Sequence, residues 1–265
     1  MLHNRQNLLQ QCRQPDDRTA LAKVLDQAAF CAKNHEACFT EFMDPRQAAL
    51  FAGILSDIGA AEGLHMQAFG GHPGAERQML GFWQDYMTPE EAGFPITPLR
   101  LRYDTKFAEG LTHRDFLGST LGTGITRALV GDIAVMPSQT ILFVHKDIAD
   151  YIIGALNKVK RLRVEAEVCP AEELFVFQTD RARVRLTVAS LRLDAVASVL
   201  FRLSRAQITD LIRGDKVLLN WAAGKATAAV AAGDVITIRG TGRAKVVEIE
   251  GETKKERVAL ICELY

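Results

Sequence analysis

The stretch from Arg192 to Arg243 reads RLDAVASVLFRLSRAQITDLIRGDKVLLNWAAGKATAAVAAGDVITIRGTGR. Leu193, Val196, Ala197 and Leu200 recur at three- and four-residue spacing, the stripe of a helix with one apolar face. Ser204 is a good N-cap and Gln207 stands three residues on, which together form a capping box for a second helix. Ile208, Leu211 and Ile212 supply the inner face of that helix, and Gly214 is placed to end it. Val217 to Leu219 then reads as a strand, Ala222-Ala223-Gly224 as a turn, and Gly233-Asp234 as the turn into a strand from Val235 to Arg239. Two short helices followed by a small sheet leave Arg192, Arg202, Arg205, Lys216, Lys225, Arg239 and Arg243 at helix starts or in turns. From there a long basic side chain reaches a phosphate, and Ser204 and Arg205 open a helix whose free N–H groups favour an anion.

Charge along the chain agrees with this. The formal net charge is +0, yet residues 181 to 265 carry 15 Lys/Arg against 9 Asp/Glu, so the preceding body is acidic by the same margin. A basic module joined to an acidic body is the electrostatic footprint of a nucleic-acid contact at one end.

Working toward the N-terminus, residues 17 to 34 carry Leu21, Val24, Leu25 and Ala28 at helical spacing. Asp44 followed by Pro45 opens a second helix, predicted to run to Ile58 and stop at Gly59. A strand is expected over His65 to Phe69, a turn on Gly70, Gly71, Pro73 and Gly74, and a helix over Glu76 to Tyr86. The stretch from Thr88 to Pro98, rich in turn formers, reads as a boundary. Beyond it the pattern predicts a strand at Leu99 to Thr105 and a helix at Thr112 to Leu121. Strands at Gly131 to Met136 and Thr140 to His145 follow, then a helix at Asp147 to Leu156 and a strand at Arg163 to Val168. That β-α-β-β-α-β order is the split pattern of ferredoxin-like and RRM-like domains. An RRM stacks unpaired bases on aromatic residues of its two central strands. Here those strands offer only Phe143, so the sheet is expected to pack on a neighbour or a folded partner instead. The fold class is therefore α+β, with an N-terminal α/β region (1–95), a central RRM-like domain (96–175) and the basic C-terminal domain (181–265).

Other classes leave no mark. No apolar run approaches the ~20 residues of a membrane span, and the polar N-terminus lacks a signal-peptide core. The five cysteines are scattered and never paired as C-x-x-C, which argues against a disulfide framework or a zinc site and points to a cytoplasmic protein. The glycines Gly118, Gly122 and Gly124 fall in or after a helix, not after a strand, so they do not form a dinucleotide loop. His113, Arg114 and Asp115 stand at a helix start, where adjacent side chains diverge and do not converge on one proton. His113 and Arg114 are instead candidates for a secondary RNA or partner contact. No catalytic residue, cofactor, metal or small-molecule substrate is expected.

The series R-L-D, S-R-x-x-I-x-x-L-I-x-G-x-x-V, Asn220, and G-D-x-I-x-I-R-G-x-G-R resembles the S4 RNA-binding domain. Ahead of it stand FMDPRQ (Phe42 to Gln47), FGGHPGAER (Phe69 to Arg77) and LTHRDFLGSTLGTGITRALVGDI (Leu111 to Ile133). With these the chain, from about Phe39 to its end, resembles the YlmH family of bacterial ribosome-associated RNA-binding proteins. The resemblance implies a grip on structured RNA, ribosomal or transfer, through Arg192, Arg202, Ser204, Arg205, Lys216, Asn220, Lys225, Arg239 and Arg243. It also implies a role on the large ribosomal subunit in quality control of stalled peptidyl-tRNA. Two rival readings remain: an RNA-modifying enzyme that uses an S4 domain for substrate binding, and a cell-division or photosystem assembly factor tethered to RNA.

Overall fold

A computed structural model describes residues 5–55, 63–108, 110–170, 174, 182–252 and 257–264. The chain forms two compact units, residues 1–177 and 178–265.

The first unit is layered. Helices α1 (Arg5–Gln11), α2 (Pro15–Asn34) and α3 (Pro45–Leu55) cover a three-stranded antiparallel sheet of β1 (Cys38–Phe39), β2 (Leu64–Phe69) and β3 (Met79–Gln84), in the order β1-β3-β2. The α3 start is capped as the sequence predicts, the Gln47 N–H donating to Asp44 Oδ1 at 2.9 Å. Its expected end at Ile58 and Gly59 lies outside the described residues. Asp17 of α2, 2% exposed, accepts two hydrogen bonds from the Arg46 guanidinium, at 2.8 and 2.6 Å, which tie α2 to α3.

The predicted helix over Glu76 to Tyr86 is instead a strand. Every residue of Met79–Gln84 is buried, because β3 is covered on both faces. Leu80 and Phe82 face the helices, while Met79 joins Phe42, Ile141, Phe143 and Cys169 on the other side. Such a strand reads as a continuous apolar run, which periodicity cannot distinguish from a buried helix.

The next layer is a four-stranded antiparallel sheet. Its strands are β4 (Ile96–Arg102), β5 (Val130–Val135), β6 (Thr140–His145) and β9 (Glu165–Val168), in the order β5-β6-β4-β9. Helix α4 (Pro89–Ala92) precedes it, α5 (His113–Gly122) crosses from β4 to β5, and α6 (Ala149–Ala155) lies between β6 and β9. The element order over 96–168 is thus the split β-α-β pattern. A two-stranded hairpin, β7 (Lys158–Val159) and β8 (Leu162–Arg163), takes the first residue of the strand expected at Arg163 to Val168. Leu99, Leu101, Leu142 and Val144 meet α5 and α6 on one face. The opposite face meets the N-terminal layers, where Phe143 is fully buried. The stretch from Thr88 to Pro98 is built into this packing: Phe94 lies against the rings of Phe39, Phe69 and Trp83 at 5.0–6.2 Å.

The second unit comprises β10 (Arg183–Val188), α7 (Leu193–Leu200), α8 (Arg205–Arg213), β11 (Val217–Leu219), β12 (Ala222–Ala223), β13 (Val235–Ile238), β14 (Gly242–Glu252) and β15 (Val258–Leu264). The sheet is six-stranded, in the order β10-β15-β14-β13-β11-β12, and larger than the sequence suggests. Leu193, Val196, Ala197 and Ile208 seat the helices on it. The turn expected at Ala222-Ala223-Gly224 falls two residues earlier. Asn220 and Trp221, at φ 49° and 62°, close a two-residue hairpin, and Ala222 and Ala223 pair back to β11.

Candidate nucleic-acid interface

The α8 start has the predicted capping box. The Ser204 N–H donates to Gln207 Oε1 at 2.8 Å, and the Gln207 N–H donates to Ser204 Oγ at 3.2 Å. The Ser204 hydroxyl is therefore engaged with its own helix, while Arg205 opens that helix with an exposed side chain. Helix α8 ends at Gly214 as expected. The left-handed residue that turns the chain is Asp215, at φ 52°, rather than the glycine, whose φ is −88°.

Arg192, Arg205 and Lys225 come together around the start of α7. Arg192 donates from Nε and Nη2 to the two Asp194 oxygens at 3.1 and 3.2 Å, and Arg205 Nη2 stands 4.0 Å from Asp194 Oδ1. Asp194 is only 8% exposed, so it anchors two guanidiniums that keep about half of their surface in solvent. The Leu193 and Asp194 N–H groups donate to the Ala228 and Ala226 carbonyls, which brings the loop bearing exposed Lys225 over the same helix end.

Lys216 and Arg239 form a second pair. The Arg239 N–H donates to the Lys216 carbonyl at 2.9 Å, one step beyond the Val217–Ile238 register, and both side chains are exposed. Like charges on neighbouring strands repel, so a shared anion relieves them. Arg202 is exposed in the α7–α8 turn at φ 55°. Arg243 is half-buried, and its Nε donates to Thr237 Oγ1 at 3.2 Å.

Asn220 does a different job. Its Nδ2 donates to Asp234 Oδ1 at 2.8 Å, and its Oδ1 accepts from the Val235 N–H at 2.9 Å. The carboxamide locks two neighbouring turns and is occupied within the domain.

Sequence reading missed a part-buried polar cluster in the first unit. Asp132, on β5, accepts hydrogen bonds from the Glu76 and Arg77 N–H groups at 2.7 and 3.0 Å, and lies 3.2 Å from His72 Nε2. Burial alone would raise its pKa. The His72 hydrogen bond and the two amides outweigh that and hold it below the usual carboxylate value. Arg77 donates to the carbonyls of Val130, Phe42 and Arg127. Burial lowers its pKa, and burial together with neighbouring Arg77 brings Arg127 down to about 10. His113 is exposed beside the same cluster, and partial desolvation of its ring together with the charge of Arg127 lowers its pKa. Residues from all three N-terminal motifs thus converge on one joint between the layers. A Cβ on Gly70 would lie 2.2 Å from the Arg77 carbonyl, and one on Gly131 would lie 2.6 Å from the Phe42 ring, so both positions need glycine.

The His113 and Asp115 side chains part company, as their adjacency requires. Asp115 accepts from Thr112 and pairs with Lys160 at 2.7 Å, and Arg114 is exposed. The cysteines are free thiols, four of them buried; burial pushes Cys31 and Cys262 up to about 11. Among the described residues there is no group of three or more potential metal ligands, and no helix is long and apolar enough to cross a membrane.

Sequence comparison decides the family. A model described as "YlmH, N-terminal" matches residues 16–87, and one described as "Putative RNA-binding domain in YlmH" matches residues 89–173. The ribosome-associated protein quality control protein P2 of Bacillus subtilis is 31% identical over 245 residues, covering 91% of this chain and 93% of that protein. The chain belongs to the YlmH family. Among solved structures, the cell division protein ylmH from Streptococcus pneumoniae is 27% identical with a TM-score of 0.50, covering 61% of this chain and 96% of its own. The family match to 89–173 falls on the four-stranded sheet and its helices, whereas the exposed arginines and lysines above lie C-terminal to it.

Proposed function

We propose that this member of the YlmH family is a ribosome-associated RNA-binding factor whose C-terminal unit, of S4 type, grips structured RNA. Its ligand is ribosomal RNA of the large subunit, tRNA, or both, and its task is the quality control of stalled peptidyl-tRNA. The observation that carries the reading is the gathering of Arg192, Arg205 and Lys225 at one helix end, with Lys216 and Arg239 side by side just beyond the ends of adjacent strands. Exposed cations of this kind neutralise phosphates and release counterions. The name of the Bacillus subtilis relative supports the ribosomal setting. In this reading the chain performs no chemistry, and the part-buried cluster of the first unit spends the Asp132 carboxylate on two backbone amides and His72.

The test is co-sedimentation of the full chain with purified large subunits. Wild type is expected in the ribosomal pellet at low salt, and a variant lacking the exposed cations in the supernatant. Pelleting of that variant at wild-type level would overturn the assignment of the face. A mass change in the bound RNA after incubation would replace this reading with a modifying enzyme. The cell-division name of the streptococcal relative supports a tethered protein-binding factor only if a chain lacking residues 181–265 still captures its protein partner.

A further inference from the structure

We infer that a groove at the end of the β4–β9 pair binds one unpaired RNA nucleotide, with its base on Phe107 and its phosphate on Arg161 and Arg163. The inference rests on the RNA-binding reading and adds to it a second, separate contact in the first unit.

The groove has a volume of about 820 Å³, and Tyr103, Phe107, Arg161 and Arg163 are among its lining. That volume lies in the range of small-ligand sites, roughly 300–1,000 Å³. Phe107 is 73% exposed, the most exposed of the large apolar side chains among the described residues. It is presented by a short, fixed turn. Asp104 Oδ1 accepts from the Lys106 N–H at 3.0 Å, and the Asp104 carbonyl accepts from the Phe107 N–H at 3.1 Å. Tyr103 forms an immobile wall beside it, its hydroxyl 2.9 Å from Thr140 Oγ1 and its ring 5.8 Å from that of Phe116.

The opposite side carries two arginines and the carboxylate of Glu165. Lys160, at φ 53°, turns the chain between β7 and β8 and puts Arg161 and Arg163 at the groove. Lys160 itself is held by Asp115, and Arg102 by Glu167 at 2.7 Å. Arg161 and Arg163 are exposed, and neither is ion-paired among the described residues. An exposed phenyl ring and two guanidiniums without an ion-pair partner among the described residues therefore share one groove, whose lining also holds Asp104 and Glu165. A carboxylate-rich peptide would answer the cations and leave the ring wet. A nucleotide answers both, because phosphate and π-face belong to one residue. The surface on which a split β-α-β sheet ordinarily stacks bases is closed here, with Phe143 fully buried beneath Phe42 and Met79. The groove at the strand ends lies outside that covered face.

The experiment compares the full-length wild type with Phe107→Ala, Phe107→Trp and Arg161→Ala/Arg163→Ala. Each is titrated with a short oligoadenylate and, separately, with a structured RNA hairpin. Phe107→Ala is expected to weaken oligoadenylate binding about tenfold or more, in keeping with the loss of one base–aromatic stack, and to leave hairpin binding unchanged. The double arginine variant should lose oligoadenylate binding and its salt dependence. Phe107→Trp should restore affinity and show fluorescence quenching by the base. Unchanged oligoadenylate affinity in both loss variants, with hairpin binding intact, would overturn the groove and leave the RNA-binding reading standing. Absence of binding to either RNA would overturn that reading and this inference with it. Displacement of the oligonucleotide by polyglutamate as effectively as by unlabelled oligoadenylate would mean an acidic-peptide site and would equally overturn the proposal.

Discussion

Replacing Arg202, Lys216, Lys225 and Arg239 together by alanine should abolish tight RNA binding while sparing the fold. All four side chains are exposed, and none has a side-chain hydrogen bond or ion pair among the described residues. Surface changes of that sort shift stability by no more than about 0.5 kcal/mol each. Each phosphate contact contributes roughly 0.7–0.9 to the slope of log K against log salt. Four lost contacts should therefore reduce the slope by about 3. Between about 50 and 200 mM salt that difference corresponds to roughly a 60-fold change in affinity that wild type shows and the variant does not. Filter binding of a structured ribosomal RNA fragment across that range is the assay, with the denaturation midpoint as the control for folding. An unchanged slope in a folded variant refutes the face. Arg192 and Arg205 are poorer choices for this test. Removing them leaves the carboxylate of Asp194, only 8% exposed, without its guanidiniums. The consequent instability, on the order of 1 kcal/mol for a half-exposed pair, would be mistaken for lost binding; adding Asp194→Asn should recover that stability without recovering binding.

Four further outcomes test the packing that supports these surfaces. Asp132→Asn should destabilise the first unit by about 1–3 kcal/mol, because a part-buried acceptor of two amides and an imidazole loses its charge; an unchanged urea midpoint would show that the joint does not depend on it. Asp17, lowered by its Arg46 hydrogen bonds, and Asp132 both have depressed pKa values, so their stabilisation is complete above the unfolded carboxylate pKa of about 4 and is lost as pH falls through the folded values. His113 is depressed too, so its contribution declines as pH falls below 6.5. His113→Gln should flatten stability just below that pH and Asp132→Asn the limb below about pH 4, and profiles parallel to wild type would contradict both. Gly70→Ala should destabilise by about 2 kcal/mol or more, since a Cβ would stand 2.2 Å from the Arg77 carbonyl; a neutral result would mean that the loop relaxes freely. Asn220→Ala should lower stability by roughly 1–3 kcal/mol through the two bonds it holds, without altering the salt slope of RNA binding; a reduced slope would put Asn220 back among the RNA contacts.

Local signals were the legible ones. The Asp44 cap, the Ser204–Gln207 box and the order of elements from Ile96 to Val168 each follow from a few neighbouring residues, and each stands in the structure. Features decided by distant residues were not legible. Met79–Gln84 is a strand because layers separated in sequence bury both its faces. The long hairpin of β14 and β15 escaped notice because register shifts between Val246 and Glu248 and between Ile249 and Gly251 break the alternation that marks a strand. The hairpin turn was misplaced because Trp221 adopts a left-handed conformation that bulky side chains rarely take. At the C-terminal face, residue type and placement in turns are enough to expect exposed cations, whereas nothing in the local sequence shows that Ser204 and Asn220 are occupied within the domain. The Asp132 cluster joins residues 55 to 60 positions apart, and no single stretch of sequence announces it.

The covered face of the four-stranded sheet has a practical consequence for dissection. A break near residue 95 would separate two layers that share Phe42, Met79, Ile141, Phe143 and Cys169 as a common interior. An excised fragment of the central sheet would present Ile141 and Phe143, both 0% exposed in the intact chain, as a wet apolar patch prone to self-association. The compact unit that keeps this interior whole runs from the N-terminal helices to residue 177. RNA-binding activity tested on a shorter piece would report a surface that the intact protein never shows.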